Sequence, residues 1–221
     1  MDSNQRIISS IERQKNRPRY NIYINNEYAF AIHEDILLKF QIRKGKEIED
    51  EDIEEVLQAE ERHRAEQLAL RYLGYKPRTA SQIRDYLSKK GFESRDIERV
   101  IQSFIEKKYL DDEDYAKLWI DERKRMRPRG RYLLRQELIY RGIEENLVED
   151  VLHQNLSDQD EVALITQLMK KKWKPHSFPN GFEMKKKMVP FLQRKGFPLD
   201  LILSVINKLK EEFVQRPTEE E

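Results

Sequence analysis

The chain has 221 residues, of which 38% are hydrophobic and 38% are charged, and its 42 basic and 41 acidic side chains leave a formal charge of +1. The hydrophobic fraction excludes a disordered tail, and the low content of glycine (7) and proline (8) favours helices over turn-rich sheets. The absence of cysteine excludes disulfides, thiol nucleophiles and thiolate metal sites. No apolar run approaches the roughly 20 residues that span a bilayer, and no signal peptide is recognisable, so we expect a soluble cytoplasmic protein without membrane contact.

The first predicted element is a β-hairpin. Apolar residues alternate on both sides of Asn25-Asn26, a pattern typical of two strands joined by a two-residue turn. These apolar residues are Tyr20, Ile22, Ile24, Tyr28, Phe30 and Ile32. A helix that ends before Gly45 should pack on the hairpin, because an isolated two-stranded ribbon is marginal in water. Its apolar residues are Ile36, Leu37 and Phe40.

An acidic run follows from Glu47 to Glu61, in which Ile53, Val56 and Leu57 mark one apolar helical face. Because acidic side chains favour the positive N-terminal end of a helix, the run predicts a solvated helix start. An acidic surface that contacts a basic partner is the alternative.

Three later segments resemble one another when Gly91, Gly142 and Gly196 are aligned. Apolar residues stand eight and four positions before each glycine and one, six and nine positions after it, as expected of two helical stripes separated by a glycine cap. In the order of the glycines, they are Ile83, Leu87, Phe92, Ile97 and Val100; Leu134, Leu138, Ile143, Val148 and Val151; and Met188, Leu192, Phe197, Ile202 and Val205.

Another amphipathic segment precedes each of these pairs, which makes three-helix units. We expect a mainly α fold in which three tandem units form an elongated array, because one unit alone buries little apolar surface. Proline and glycine predict a loop from Trp173 to Glu183. The predicted domains are residues 1–62 for the hairpin and its helix, 63–110, 111–156 and 157–215 for the three repeats, and 216–221 for an acidic tail.

The most specific stretch is YLDDEDYAKLWIDERKR, from Tyr109 to Arg125, followed by RPRGRYLLRQELIYRGI, from Arg127 to Ile143. It resembles the central signature of the RecX family. That signature consists of an aspartate-rich turn, Tyr-Ala, a basic helix end, Arg-x-x-Gly, Leu-x-x-Glu-Leu and Gly-Ile. The first repeat fits the preceding block of that pattern, whereas the third fits it more loosely. The hairpin unit resembles the N-terminal extension of RecX proteins from Gram-positive bacteria.

The resemblance implies a regulator that binds the RecA recombinase filament on single-stranded DNA. It would modulate, in the inhibitory direction, ATP hydrolysis, strand exchange and filament stability in recombination, DNA repair and the SOS response. It implies no catalysis and no cofactor, and we expect a monomer. The residues themselves predict only a helical array with alternating acidic and basic surfaces, which suits an extended polar partner.

An arginine-rich group surrounds the predicted helix break at Pro128 and Gly130. Because guanidinium groups pair with carboxylates or phosphates, we expect it to bind RecA or the DNA backbone, mainly through Arg127, Arg129 and Arg131. A solvated helix end is the alternative. The group comprises Arg123, Lys124, Arg125, Arg127, Arg129, Arg131, Arg135 and Arg141.

A second basic group flanks the predicted loop and gives either less directional contacts or ordinary surface solubility. It comprises Lys170, Lys171, Lys172, Lys174, Lys185, Lys186 and Lys187. No metal site is predicted. The aspartates at positions 111, 112 and 114 precede an apolar helix and should cap it. The histidines, at positions 33, 63, 153 and 176, are scattered without metal-ligand spacing.

Two other functions stay open. An autonomous DNA-binding protein is possible because three-helix units can place a helix in a groove, although the near-neutral charge argues against it. Tight binding to bare DNA at physiological salt, without RecA, would favour it. A metal-dependent nuclease lacks a ligand constellation in this sequence, and metal-dependent cleavage of DNA would be its signature.

Overall fold

An antiparallel sheet of three strands opens the fold: β1 (Ile8–Arg13), β2 (Arg19–Ile24) and β3 (Glu27–His33), in that order. The computed structural model describes residues 5–172 and 181–214. The hairpin is confirmed as β2 and β3. Asn25 and Asn26 join these strands with φ angles of 50° and 69°, the left-handed values that a type I′ turn requires.

Strand β1 corrects the prediction of a two-stranded ribbon. Its pairing with β2 shifts register between Ile8 and Ser10. Ile8 and Ile11 therefore contact the same core although they are three positions apart, which hides the period of two expected of a strand. The buried part of this core consists of Ile8, Ile22, Phe30, Ile32, Ile36, Ile42, Ile48, Val56 and Ala59.

Ten helices follow the sheet within the described residues. They are α1 (Glu34–Lys39), α2 (Asp50–Leu73), α3 (Ala80–Lys89), α4 (Ser94–Glu106), α5 (Asp112–Met126), α6 (Arg131–Tyr140), α7 (Glu145–Asn155), α8 (Asp158–Lys172), α9 (Gly181–Arg194) and α10 (Leu199–Val214). The mainly α fold with three-helix repeats is confirmed, since α2–α4, α5–α7 and α8–α10 are the three repeats. The acidic run begins α2, where the Asp52 carboxylate accepts the backbone N–H of Glu49 at 3.2 Å.

The glycine alignment is also confirmed. Gly91, Gly142 and Gly196 have φ angles of 87°, 79° and 85°, and the residue after each glycine donates its N–H to the carbonyl five positions earlier at 3.3 Å. All fifteen aligned apolar residues are buried. The same turn therefore presents the same apolar positions in each repeat.

Two of these turns contact the start of a helix from the preceding repeat. The N–H groups of Gly130 and Tyr132, at the start of α6, donate to the carbonyls of Lys195 and Gly196 at 2.8 and 3.1 Å. At the start of α3, the Thr79 hydroxyl donates to the carbonyl of Arg141 at 2.7 Å. In both cases the helix start reaches the residue before the repeat glycine.

Contacts divide the chain into two compact units, Met1–Pro77 with Ile83–Tyr109 and Arg78–Gln82 with Leu110–Glu221. Helix α2 runs without interruption through residues 62 and 63, where a domain boundary is predicted. Residues 173–180 of the predicted loop and the predicted tail lie outside the described residues. The loop prediction extends too far, because α9 begins at Gly181. None of the described helices has both the length and the apolar character needed to cross a bilayer.

Candidate partner-binding site

The arginine-rich group lies around the break between α5 and α6. Arg127 is the C-cap of α5, with non-helical φ −142° and ψ 75°, and Gly130 is the N-cap of α6. A Cβ at Gly130 would lie 2.4 Å from the carbonyl oxygen of Gly196. The lack of a side chain at Gly130 therefore permits its close contact with Gly196, and the helix break also separates the arginines.

Glu137 of α6 binds several of the cationic side chains from this region. Its Oε2 accepts the Trp119 indole N–H at 2.8 Å and the Arg123 Nε–H at 3.1 Å. Its Oε1 lies 3.0 Å from Arg129 Nε, in an ion pair that lacks the alignment of a hydrogen bond. Arg141 donates to the Glu137 backbone carbonyl at 2.8 Å. This part of the group holds α5 against α6.

Trp119 also receives two guanidinium groups. The Cζ atoms of Arg123 and Arg141 lie 3.9 and 3.6 Å from its ring centroid, within the range of cation–π attraction. Arg141 further donates to the Tyr115 hydroxyl at 3.2 Å. Both arginines therefore have internal partners.

Arg131 pairs with a buried carboxylate. Its backbone N–H donates to Glu161 at 2.9 Å, and its guanidinium binds Glu161 and Asp158. The side chain of Glu161 is fully buried, and this burial raises its pKa, although the bonds and charge of Arg131 oppose the rise. Burial alone would lower the pKa of Arg131, but the two carboxylates together raise it. Arg131 is thus a structural partner of α8.

The remaining members of the group divide into paired and exposed side chains. Arg135 binds Glu145 and Glu149 of α7. Lys124 donates to the Asn155 carbonyl at 2.9 Å and lies 3.3 Å from the Asp160 carboxylate. These contacts anchor α5 and α6 to the neighbouring helices.

Arg125 and Arg127 differ from the others because they are exposed and, within the described residues, pair with no carboxylate. Among the residues that the structure describes, Arg125 Nε donates only to the Asp121 backbone carbonyl, at 3.3 Å. Met126 between them is 75% exposed. These two charges are available to a partner.

The second basic group contributes mainly exposed lysines. Lys170 and Lys171 are exposed at the end of α8, and Lys185 to Lys187 lie on α9. Lys174 lies outside the described residues. The Nζ of Lys172 lies 3.7 Å from the centroid of the Phe191 ring. The side chain of Lys172, the last residue of α8, therefore lies against α9.

Lys195 is a further cation that lies close to members of both predicted basic groups, and the sequence did not point to it as a site residue. Its Nζ lies 5.5 Å from the Phe191 centroid. Burial lowers the pKa of Lys195, and the charges of Arg129 and Lys172 lower it further. We call Arg129, Lys172 and Lys195 the Phe191 basic cluster. The sequence signal that could have found Lys195 is that a basic residue precedes the glycine in all three repeats.

Like charges in this cluster repel one another, and an anion would relieve the repulsion. Glu137 pairs with Arg129, but within residues 5–172 and 181–214 no carboxylate pairs with Lys172 or Lys195. The cluster and the exposed Arg125 and Arg127 are therefore suited to bind a polyanionic or acidic surface.

A cavity of about 790 Å³ lies beside α6, but it is less suited to anions. Arg131 and Arg135 line it, and both already pair with carboxylates. Of the three aspartates predicted to cap α5, Asp111 is its N-cap, and its carboxylate accepts the Asp114 N–H at 2.9 Å. Asp112 and Asp114 lie in the first turn of α5, and the Asp112 carboxylate instead accepts the Ala80 N–H at the start of α3, at 2.9 Å.

Comparison with known proteins identifies the family. Family models match four segments: the regulatory protein RecX N-terminal domain at residues 6–49, and the RecX first, second and third three-helix domains at residues 65–104, 111–152 and 158–206. The chain belongs to the RecX family. Its membership supports a regulatory role, and RecX is not a known enzyme family.

Individual RecX proteins cover most of the chain. Regulatory protein RecX of Bacillus cytotoxicus is 32% identical over 213 residues, which is 93% of this chain and 78% of that protein. RecX of Bacillus subtilis (strain 168) is 31% identical over 90% of this chain and 75% of its own. A crystal structure of regulatory protein RecX matches with a TM-score of 0.75 at 28% identity, over 91% of this chain and 99% of that one. RecX from Lactobacillus salivarius matches with a TM-score of 0.65 at 25% identity, over 69% and 99%.

The structure also brings together residues that the RecX pattern and the sequence reasoning left apart. His33 and His63 are 30 positions apart, yet their ring centroids lie 4.3 Å from each other, next to Asp35. The two histidines are thus distant in the sequence but adjacent in the folded chain.

Proposed function

We propose that this chain regulates recombination by binding the RecA filament on single-stranded DNA and inhibiting its ATP hydrolysis and strand exchange. RecX family membership supports the choice of RecA, and the Phe191 basic cluster carries the structural part of the proposal. A filament on DNA offers both phosphates and protein carboxylates, and both bind lysine and arginine.

Within the arginine-rich group, we propose different roles for exposed and paired residues. Arg125 and Arg127 contact the partner, together with Lys172 and Lys195. Arg123, Arg131, Arg135 and Arg141 hold neighbouring helices and position the contact residues. Arg129 belongs to both sets, because it pairs with Glu137 and adds charge to the Phe191 basic cluster.

The test is a titration of RecA's single-stranded-DNA-dependent ATP hydrolysis with the wild-type chain and with two double variants, Arg125→Ala/Arg127→Ala and Lys172→Ala/Lys195→Ala. Each double variant should need roughly tenfold more protein for the same inhibition, since two charge contacts with the partner are together worth about 1.4 kcal/mol. Arg131→Ala is unsuitable, because it would leave the buried Glu161 without its cation and destabilise the fold.

The matched control is Arg95→Ala/Arg99→Ala, which removes the same charge from exposed positions on α4. It should inhibit like the wild type. Equal losses of inhibition in the control and the test variants would show that only the net charge of the protein matters. A folded wild-type chain with no influence on active RecA would refute the proposal.

Autonomous DNA binding is the second candidate, and the Phe191 basic cluster favours it too because phosphates suit the same cations. Binding to bare single-stranded DNA, measured against salt concentration, separates the two. Loss of one phosphate contact reduces the slope of log K against log salt by about 0.7. Tight RecA-independent binding that the lysine variant weakens would support this second candidate, whereas binding only in the presence of RecA supports the first.

A further inference from the structure

The N-terminal unit places two histidines and an aspartate around one point. His33 ends β3 and is the N-cap of α1, Asp35 lies in the first turn of α1, and His63 lies on α2. His33 Nδ1 lies 3.3 Å and His63 Nε2 lies 3.8 Å from Asp35 Oδ2. The three potential ligand atoms all lie within 4.8 Å of one another.

These distances are close to those of a tetrahedral metal centre. Zinc binds imidazole nitrogen and carboxylate oxygen at about 2.0–2.2 Å, which separates neighbouring ligand atoms by about 3.3–3.5 Å. The Asp35–His33 separation already has this value, and the Asp35–His63 separation exceeds it by a few tenths of an ångström. Small side-chain movements would therefore complete the arrangement.

His63 Nε2 is buried and makes no hydrogen bond with the described residues. A buried polar atom without a partner is costly, and a metal bond would satisfy it. His33 Nδ1 instead accepts the backbone N–H of Asp35 at 3.2 Å, so metal binding at Nδ1 would replace one helix-capping bond.

The surroundings hold the ligands and leave space beside them. Glu60 accepts the His33 backbone N–H at 2.7 Å and pairs with Arg19 at 2.7 Å, which fixes the end of β3 against α2. A cavity of about 260 Å³ adjoins Asp35 and His63 and has room for water ligands. Its other charged residues are Lys39, Arg62 and Glu66. The net charge of these three is +1, which Asp35 offsets.

We propose that His33, Asp35 and His63 bind one divalent transition-metal ion of the Zn²⁺ class, with water completing the coordination. Imidazole nitrogens with one carboxylate suit Zn²⁺ and its neighbours, whereas Mg²⁺ and Ca²⁺ prefer all-oxygen sites. The ion would connect the β3–α1 junction to α2 and so stabilise the N-terminal unit. None of its residues belongs to the proposed partner-binding site.

The test is equilibrium dialysis of the full chain, free of any histidine tag, against Zn²⁺, together with Co²⁺ absorption as a report on coordination geometry. The wild type should bind one ion and give the visible bands of four-coordinate cobalt. Asp35→Asn and His63→Ala should each weaken binding at least tenfold and remove those bands. The Asp35 variant keeps the fold testable, since its side chain is 64% exposed.

The matched control is His153→Ala/His176→Ala, which removes the two histidines outside the proposed site and should bind Zn²⁺ like the wild type. Thermal unfolding adds a second measurement: Zn²⁺ should raise the midpoint of the wild type and the control but not of Asp35→Asn. No saturable binding by the wild type, or unchanged affinity in the folded Asp35→Asn chain, would overturn the proposal.

Discussion

The three glycine turns have the same backbone but different neighbours. A Cβ at Gly91 would meet nothing within 4 Å, one at Gly142 would lie 2.1 Å from the Ser81 hydroxyl, and one at Gly196 would lie 2.4 Å from the Leu133 backbone nitrogen. The turn itself requires only a positive φ, which all three have. Gly142 and Gly196 also allow close packing against a helix start. The glycine therefore permits the same turn in all three repeats, and in the second and third repeats it also permits close packing against a helix start.

Gly196→Ala should have the largest effect. The added Cβ would strain the positive φ and collide with the backbone of Leu133, which cannot move without displacing α6. Strain of about 1–2 kcal/mol and overpacking of about 1–3 kcal/mol predict a loss near 4 kcal/mol in the free energy of unfolding. Urea denaturation followed by circular dichroism would measure it. A loss below about 1 kcal/mol would show that the third turn is not tightly packed.

Gly142→Ala should lower the free energy of unfolding by about 3 kcal/mol, because the added Cβ would strain the turn and collide with the Ser81 side chain. Ser81→Gly in the same chain should recover at least about 1 kcal/mol, since it removes both atoms that the new Cβ would meet closely. The double-mutant cycle uses the same urea measurement. Strict additivity of the two substitutions would contradict the packing explanation.

Gly91→Ala should have the smallest effect, about 1 kcal/mol, because only the backbone conformation is strained. Its unfolding midpoint in urea should therefore lie nearer to that of the wild type than the midpoints of Gly142→Ala and Gly196→Ala do. A cost equal to that of Gly196→Ala would remove the distinction between the turns.

Local chemistry made much of the fold predictable. Alternating apolar residues around Asn25-Asn26 predict β2, the turn and β3, because period and turn residues agree. Strand β1 escaped prediction because the register shift after Ile8 interrupts its period. The repeat glycines were predictable for the same reason as the hairpin: each apolar stripe and its cap lie within one short segment.

The candidate site was less predictable, because its charges are balanced by residues distant in the chain. Locally, only Glu122 and Glu137 oppose the arginine-rich group. The fold adds carboxylates from α7 and α8, of which the buried Glu161 has the strongest effect on Arg131. Charge counting along the sequence cannot separate such paired arginines from Arg125 and Arg127. The His33–His63 contact was hidden in the same way.

Helix α2 imposes a restriction on length. Its first half contributes Val56 and Ala59 to the core of the sheet, and in its second half Arg64 lies over Phe92 and Tyr72 stacks on Tyr86. One residue added or removed between these halves would rotate one face against the other by about 100°. Insertions and deletions that surface loops tolerate should therefore be rare here, and a shortened protein that retains the first repeat should begin before α2 rather than within it.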